Sequence, residues 1–268
     1  MVQALPQPTP EFQEGHVEAD ELRIRYVEAA PHQPAGAVVM VDSMTGGLSK
    51  LHHALAQKYR VVAFELPGEG GSPTPIAPLS VKDLARVLTG AVAKVVPEKY
   101  TLIGTSIGAN VALWHTLESP DRVEALILIS PTAILPAGGP APGTPAEVDK
   151  RLFAHPENVL PGSSADASMR KSLVESIMTT AHDAEAESRL SEIQCATLVV
   201  FGLQDKLVAP QAGGIYREKI ANSNLSFVYD TGHVIIAERP EALIDAVSDY
   251  VERRETFVVG RGSSIINP

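Results

Sequence analysis

Five short runs constrain this chain more than any other feature: AVVMVDS, RVVAFEL, YTLIGTS, VEALILIS and ATLVVFG are β-branched and nearly all apolar. Strands buried on both faces of a parallel sheet read this way. A sixth run, ELRIRYVEA, alternates apolar and polar residues as a half-buried strand does, and LSFVYD follows ATLVVFG. Helical text lies between the runs: LSKLHHALAQKY precedes RVVAFEL, SVKDLARVLTGAVAKVV precedes YTLIGTS, and GANVALWHTLES precedes VEALILIS. Strand and helix in regular alternation, punctuated by Gly and Pro, predict an α/β fold with a mostly parallel central sheet covered by helices on both faces.

The alternation is broken once. Between VEALILIS and ATLVVFG comes a Pro/Gly-rich loop, PTAILPAGGPAPGTP, and then helical text, AEVDKRLFAHPE and ASMRKSLVESIMTTAHDAEAESRL. Met169, Leu173, Ile177 and Ala181 recur four apart, which predicts one apolar helical face. Residues 134–194 therefore read as a helical insertion into a core made of 1–133 and 195–268. Such an insertion is either a lid over the strand ends or an extra packing layer. The chain closes with RPEALIDAVSDYVERRE, an amphipathic helix, and the tail TFVVGRGSSIINP, which reads as a frayed end, a strand added to a sheet edge, or a contact with another subunit.

The 268 residues suffice for one large core, and a formal net charge of −10 argues against nucleic acid or an anionic membrane as partner. The single cysteine, Cys195 in IQCATLVV, can form no intrachain disulfide and reads as a small hydrophobe at the start of a strand. No Cys/His spacing suits zinc, so neither metal nor cofactor is expected. The N-terminal text MVQALPQPTPEFQEG has no basic-then-apolar leader pattern, and no apolar run approaches the roughly 20 residues that span a bilayer. A cytoplasmic protein is the expectation.

One motif carries chemistry. Gly104-Thr105-Ser106-Ile107-Gly108 is G-x-S-x-G, placed between a strand pattern and a helix pattern, where a tight turn can raise a serine clear of the sheet. A serine hydroxyl needs a base, and His233 in YDTGHVIIAERPE lies between the last strand run and the final helix. The acid that orients such a base is expected at Asp205 in VVFGLQDKLVAP, which arrives from a neighbouring strand. Asp230 competes, but three residues before His233 it is better placed to stabilise the turn. His52, His53, His115 and His155 sit in helical text or in the insertion and read as packing or solvent residues. The order Ser106, Asp205, His233 is that of a Ser–Asp–His triad on this class of sheet.

With these residues in place, the chain resembles the α/β-hydrolase superfamily over nearly its whole length. RVVAFELPGEGGSP resembles the family's segment after the fourth strand, ATLVVFGLQDKLVAP its acid-bearing strand and loop, and TGHVIIAERPEAL its histidine loop and last helix. The resemblance implies Ser106 as nucleophile, Asp205 as acid, His233 as base, and 134–194 as the family's helical cap. It also implies an oxyanion hole from the backbone N–H groups of Met44 and Ile107. Here Asp42-Ser43 stands where the family commonly has His-Gly, and an unsatisfied Asp42 carboxylate would repel a forming oxyanion. Glu65 replaces the usual aspartate of the segment after the fourth strand, a change expected to be structural.

The function expected is a serine hydrolase acting on a small ester or lactone. Carbon–carbon bond hydrolysis of a diketone-like substrate uses the same triad, and a non-catalytic receptor uses the same fold. The ligand expected is an uncharged, partly apolar small molecule, with Met169, Leu173, Ile177 and Met178 as the candidate pocket wall. A homo-oligomer is compatible with the sequence.

Overall fold

The protein's computed structural model describes residues 10–41, 47–75, 78–136, 143–158, 174–175, 177–178, 181–256 and 265–266. Its strands are β1 (Gln13–Ala19), β2 (Leu22–Ala29), β3 (Ala37–Val41), β4 (Arg60–Phe64), β5 (Tyr100–Thr105), β6 (Val123–Ile129), β7 (Ala196–Gly202), β8 (Ser223–Val228) and β9 (Ile265–Ile266). Its helices are α1 (Lys50–Ala56), α2 (Val81–Val95), α3 (Ile107–Glu118), α4 (Pro145–Arg151), α5 (Ala184–Arg189), α6 (Ala212–Lys219), α7 (Ile235–Glu238) and α8 (Pro240–Arg253).

All these strands join one sheet in the order β1-β2-β4-β3-β5-β6-β7-β8-β9. From β4 across to β8 the pairing is parallel, while β1, β2 and β9 are antiparallel additions at the edges. The apolar runs are apolar because each strand faces two layers. Val39 and Val41 pack in one cluster with Leu88 of α2, Trp114 of α3 and Tyr216 of α6. Val38 and Met40, one residue out of phase, pack in another with Leu55 of α1 and Val247 of α8. Helix α3 lies inside one of these layers with Gly108 through Leu117 all buried, which explains its apolar sequence on every side.

The ends of the helices follow local chemistry. Ser80 and Asp83 form a reciprocal capping box at α2, with backbone-to-side-chain distances of 3.1 and 3.2 Å. Thr144 and Glu147 do the same at α4, with Pro145 in the first turn. Glu65 fills a structural position: its carboxylate binds the Arg25 guanidinium and accepts from the Gly71 N–H at 2.7 Å, tying the GEGGS turn to β2.

The seven strands read from sequence are all present. β1 pairs antiparallel with β2 across the two-residue turn at Asp20-Glu21, both in the left-handed region. The tail follows the edge-strand expectation at Ile265–Ile266, which pairs antiparallel with Val228 and Phe227.

In the insertion, α4 and α5 are helical, and Met169 and Leu173 lie outside the described residues. Ile177 is buried within the apolar cluster that also holds Leu152 and Phe153, and Met178 packs against it. The four-residue periodicity fails at Ala181, which is exposed and not helical. Two residues later Asp183 caps α5, its side chain accepting from the Ala186 N–H at 2.9 Å. The far end of the insertion packs on α3: Asp183 accepts from the Trp114 indole N–H at 2.7 Å, and Arg189 pairs with Glu118 at 2.9 Å.

Candidate active site

Strand β5 ends at Thr105 and α3 begins at Ile107, so Ser106 alone makes the turn between them. Its φ of 55° and ψ of −117° fall where side chains are strained, at a cost of order 1–3 kcal/mol. Two close approaches hold it there. A Cβ on Gly104 would stand 2.4 Å from the Gly108 carbonyl oxygen, and one on Gly108 would stand 2.0 Å from that of Val41. The Ser106 N–H donates to the Ile129 carbonyl at 2.9 Å, anchoring the turn to the next strand.

Ser106 Oγ lies 2.9 Å from His233 Nε2, and His233 Nδ1 lies 2.8 Å from Asp205 Oδ2. All three side chains are buried. The other Asp205 oxygen accepts from the backbone N–H groups of Leu207 and Val208 at 2.8 and 3.0 Å. Those donors orient the carboxylate and satisfy its charge away from water. A carboxylate can only accept, so Nδ1 carries the proton and Nε2 presents its lone pair to the serine hydroxyl. In that tautomer an imidazole can take the hydroxyl proton as Oγ attacks an electrophile. Asp230 is elsewhere: it accepts from the His155 ring at 2.7 Å and faces Arg239 at 3.6 Å.

The site's place on the sheet follows from topology. β4 and β5 flank β3 on opposite sides, so strand order reverses there, and the parallel strands all end on the same edge. Ligands of open α/β sheets bind outside the carboxyl ends of the strands at such a reversal. Helix α3 starts immediately after Ser106 and directs the positive end of its dipole at the same point. Ile107 opens that helix, whereas Met44, Asp42 and Ser43 lie outside the described residues.

Further groups bear on the histidine. Its own N–H and that of Val234 both donate to the Leu152 carbonyl, at 3.0 and 3.2 Å, and its carbonyl accepts from Ser130 Oγ at 2.9 Å. Glu238 gathers the turn before it, accepting from Thr231 Oγ1 at 3.0 Å, Gly232 N at 2.7 Å and His155 N at 2.6 Å. The sequence carries a faint sign of Ser130, a hydroxyl closing the apolar run VEALILIS, and no sign at all of the Leu152 carbonyl. Cys195 stands at the foot of β7, far along that strand from Asp205, and burial pushes its thiol up to about 11. Among the described residues no group of three or more His, Cys, Asp or Glu could hold a metal ion, and no helix is long and apolar enough to cross a membrane.

Comparison with known proteins agrees with this architecture. A hydrolase of Pseudomonas putida, named 2-hydroxy-6-oxononadienedioate/2-hydroxy-6-oxononatrienedioate hydrolase 2, is 27% identical over 87% of this chain and 92% of its own. The solved 2-hydroxy-6-oxo-6-phenylhexa-2,4-dienoate hydrolase of Rhodococcus sp. strain RHA1 superposes with a TM-score of 0.73 at 19% identity, covering 91% of this chain and all (100%) of that one. A thermophilic esterase from Thermogutta terrifontis gives the same TM-score of 0.73 at 19% identity, over 91% and 100% of the two chains. The model of the alpha/beta hydrolase family matches residues 41–246, most of the core and the whole of the insertion, and the chain belongs to that family.

Proposed function

We propose that the protein is a serine hydrolase that cleaves a small ester or lactone through an acyl-enzyme. The observation that carries this is the unbroken chain Ser106 Oγ, His233 Nε2, His233 Nδ1, Asp205 Oδ2, with links of 2.9 and 2.8 Å, on a strained strand-to-helix turn. Ser106 Oγ bonds to the substrate carbonyl carbon as His233 Nε2 takes its proton. The tetrahedral oxyanion is met by the N–H of Ile107, with that of Met44, which lies outside the described residues, as the expected second donor. Collapse breaks the carbon–oxygen bond, and His233 returns the proton to the departing alcohol. Water then attacks the acyl-enzyme with His233 as base, freeing the acid and restoring Ser106.

Residues 134–194 act in this reading as a cap over the same sheet edge, with Ile177 and Met178 in its apolar wall; Met169 and Leu173, expected there too, lie outside the described residues. Truncating Ile177 to alanine is expected to shift preference toward longer acyl chains, measured as kcat/KM across a p-nitrophenyl ester series. An unchanged profile removes Ile177 from the wall. For Ser106→Ala the same assay is expected to lose a factor on the order of 10^6 in kcat. Ester turnover that survives in that variant would refute the assignment of the nucleophile.

A second reading, carbon–carbon bond hydrolysis, has a specific observation in its favour: the Pseudomonas putida relative is named as a hydrolase of 2-hydroxy-6-oxononadienedioate, a keto diacid with no ester bond to break. Its test is consumption of a vinylogous diketone acid followed by absorbance beside the ester series. Turnover of the diketone without ester turnover would select it. Tight binding of either compound with no turnover by wild type would select a receptor instead.

A further inference from the structure

Along the carboxyl edge of the sheet, neighbouring strands deliver Ser106 after β5, Asp205 after β7 and His233 after β8. The strand between the first two, β6, is followed at once by Ser130. Its φ is +46°, in the region that favours glycine, and it is completely buried at 0% exposure. A non-glycine residue there carries a steric cost of about 1–2 kcal/mol. Its N–H nonetheless continues the sheet by donating to the Val200 carbonyl at 2.8 Å. The side chain that bears this cost donates one hydrogen bond, from Oγ to the main-chain carbonyl of His233 at 2.9 Å.

We infer that Ser130 is a positioning residue for His233, and that its hydroxyl is the reason a serine occupies a glycine-favouring conformation. This rests on the triad reading above. The His233 ring must meet Ser106 and Asp205 at once, at 2.9 and 2.8 Å, while its backbone belongs to a loop between β8 and α7. Such a loop residue has two backbone groups by which it can be held. Leu152 takes its N–H at 3.0 Å, and Ser130 takes its carbonyl. Removing the second hold leaves the Leu152 carbonyl, which accepts from both the His233 and Val234 N–H groups, to hold this stretch of main chain from one side only, and the ring's two contacts loosen with it.

The conformation of Ser130 makes the test unusually clean. Ser130→Gly removes the hydroxyl and relieves the backbone, whereas Ser130→Ala removes the hydroxyl and keeps the Cβ cost. The two variants bracket each other in stability and agree only in what they lack. Both are expected to lose kcat by about 10- to 100-fold. KM is expected to stay within about twofold, and the acid limb of the kcat/KM pH profile, which reports His233 in the free enzyme, to move in both. A Ser130→Gly protein with wild-type kcat and an unmoved limb would overturn the inference. So would activity that follows melting temperature across the two variants.

A second readout separates this from the function assigned above. The Nδ1 proton of His233, bonded to Asp205, should give a far-downfield proton NMR resonance in the wild type. It is expected to move upfield and exchange faster in both Ser130 variants, whether or not any ester is turned over. Wild type with the resonance but without hydrolysis of any substrate offered would sink the hydrolase reading and leave the positioning role measurable. A resonance unchanged by either substitution, or absent from wild type, would sink the positioning role.

Discussion

At Gly108 an added Cβ would meet backbone, the Val41 carbonyl oxygen at 2.0 Å, rather than the yielding end of a side chain. Only a shift of β3 against α3 could make room for it. Gly108→Ala is therefore expected to cost about 2–3 kcal/mol, read from urea unfolding, and to lower esterase kcat because Ser106 rides on the same turn. Residues such as this one are legible in sequence because their chemistry is local: a G-x-S-x-G between strand and helix needs its glycines for one steric reason. Asp205 and His233 were legible for a related reason, since a parallel sheet brings the ends of successive strands to one edge. Ser130 was not, because its partner is a main-chain carbonyl 103 residues away that no side-chain pattern encodes. Nor does sequence alone dispose of Asp230. What disposes of it is its engagement with His155 at 2.7 Å, leaving the Nδ1 side of His233 to Asp205.

Among the elements, the histidine loop is held by its neighbours more than by itself. The Leu152 carbonyl, just past α4, accepts two of its N–H groups, and Glu238 of α7 accepts from Thr231, Gly232 and the His155 backbone. The carboxylate thus ties the loop to the start of the insertion. Glu238→Gln keeps the size but offers one acceptor oxygen in place of two, and turns an NH₂ toward a donor. It is expected to cost about 2 kcal/mol of stability and to speed amide exchange at Gly232, measured by urea unfolding and hydrogen exchange. Retained protection at Gly232 would show that the loop stands without it. Strands and helices buried on two faces were plain in the sequence because every position had to be apolar. β1 was not, since QEGHVEA is an edge strand with one face toward solvent and its pairing comes from the turn that follows. Ala181 misled because a four-residue spacing persists by chance into the stretch just before the Asp183 cap.

On the scale of the whole molecule, one contribution to the response to acid comes from a buried histidine outside the triad. His115 of α3 is fully enclosed: its Nε2 meets the Tyr100 hydroxyl at 2.5 Å and its Nδ1 meets Thr89 Oγ1 at 2.8 Å. Thr89 already donates its hydroxyl proton to the Ala85 carbonyl at 2.8 Å, so it accepts from Nδ1–H, and Tyr100 donates to Nε2. A second proton on this ring would turn the Tyr100 hydroxyl from donor to acceptor and force its own proton away from Nε2. Burial, helped by the nearby Arg122 charge, accordingly pushes His115 down from 6.5 to about 4, and burial pushes the Tyr100 phenol up to about 12. The unfolded chain takes up a proton at His115 as pH falls through about 6.5, and the folded chain does not until about 4. Between those values the unfolded state binds more protons, so stability falls as pH falls. Full use of that window corresponds to about 3 kcal/mol, at 1.36 kcal/mol per pH unit. His155 acts in the opposite sense, because its Asp230 and Glu157 partners raise it, but it is largely solvent-screened. Urea unfolding at pH 7 and pH 4.5 is expected to show a steep loss in wild type and a shallower one in His115→Gln, which cannot titrate. The difference between the two slopes removes the carboxylates and His155 common to both proteins. Equal slopes would mean that the enclosed ring takes its second proton without opening the contact between α2, α3 and β5.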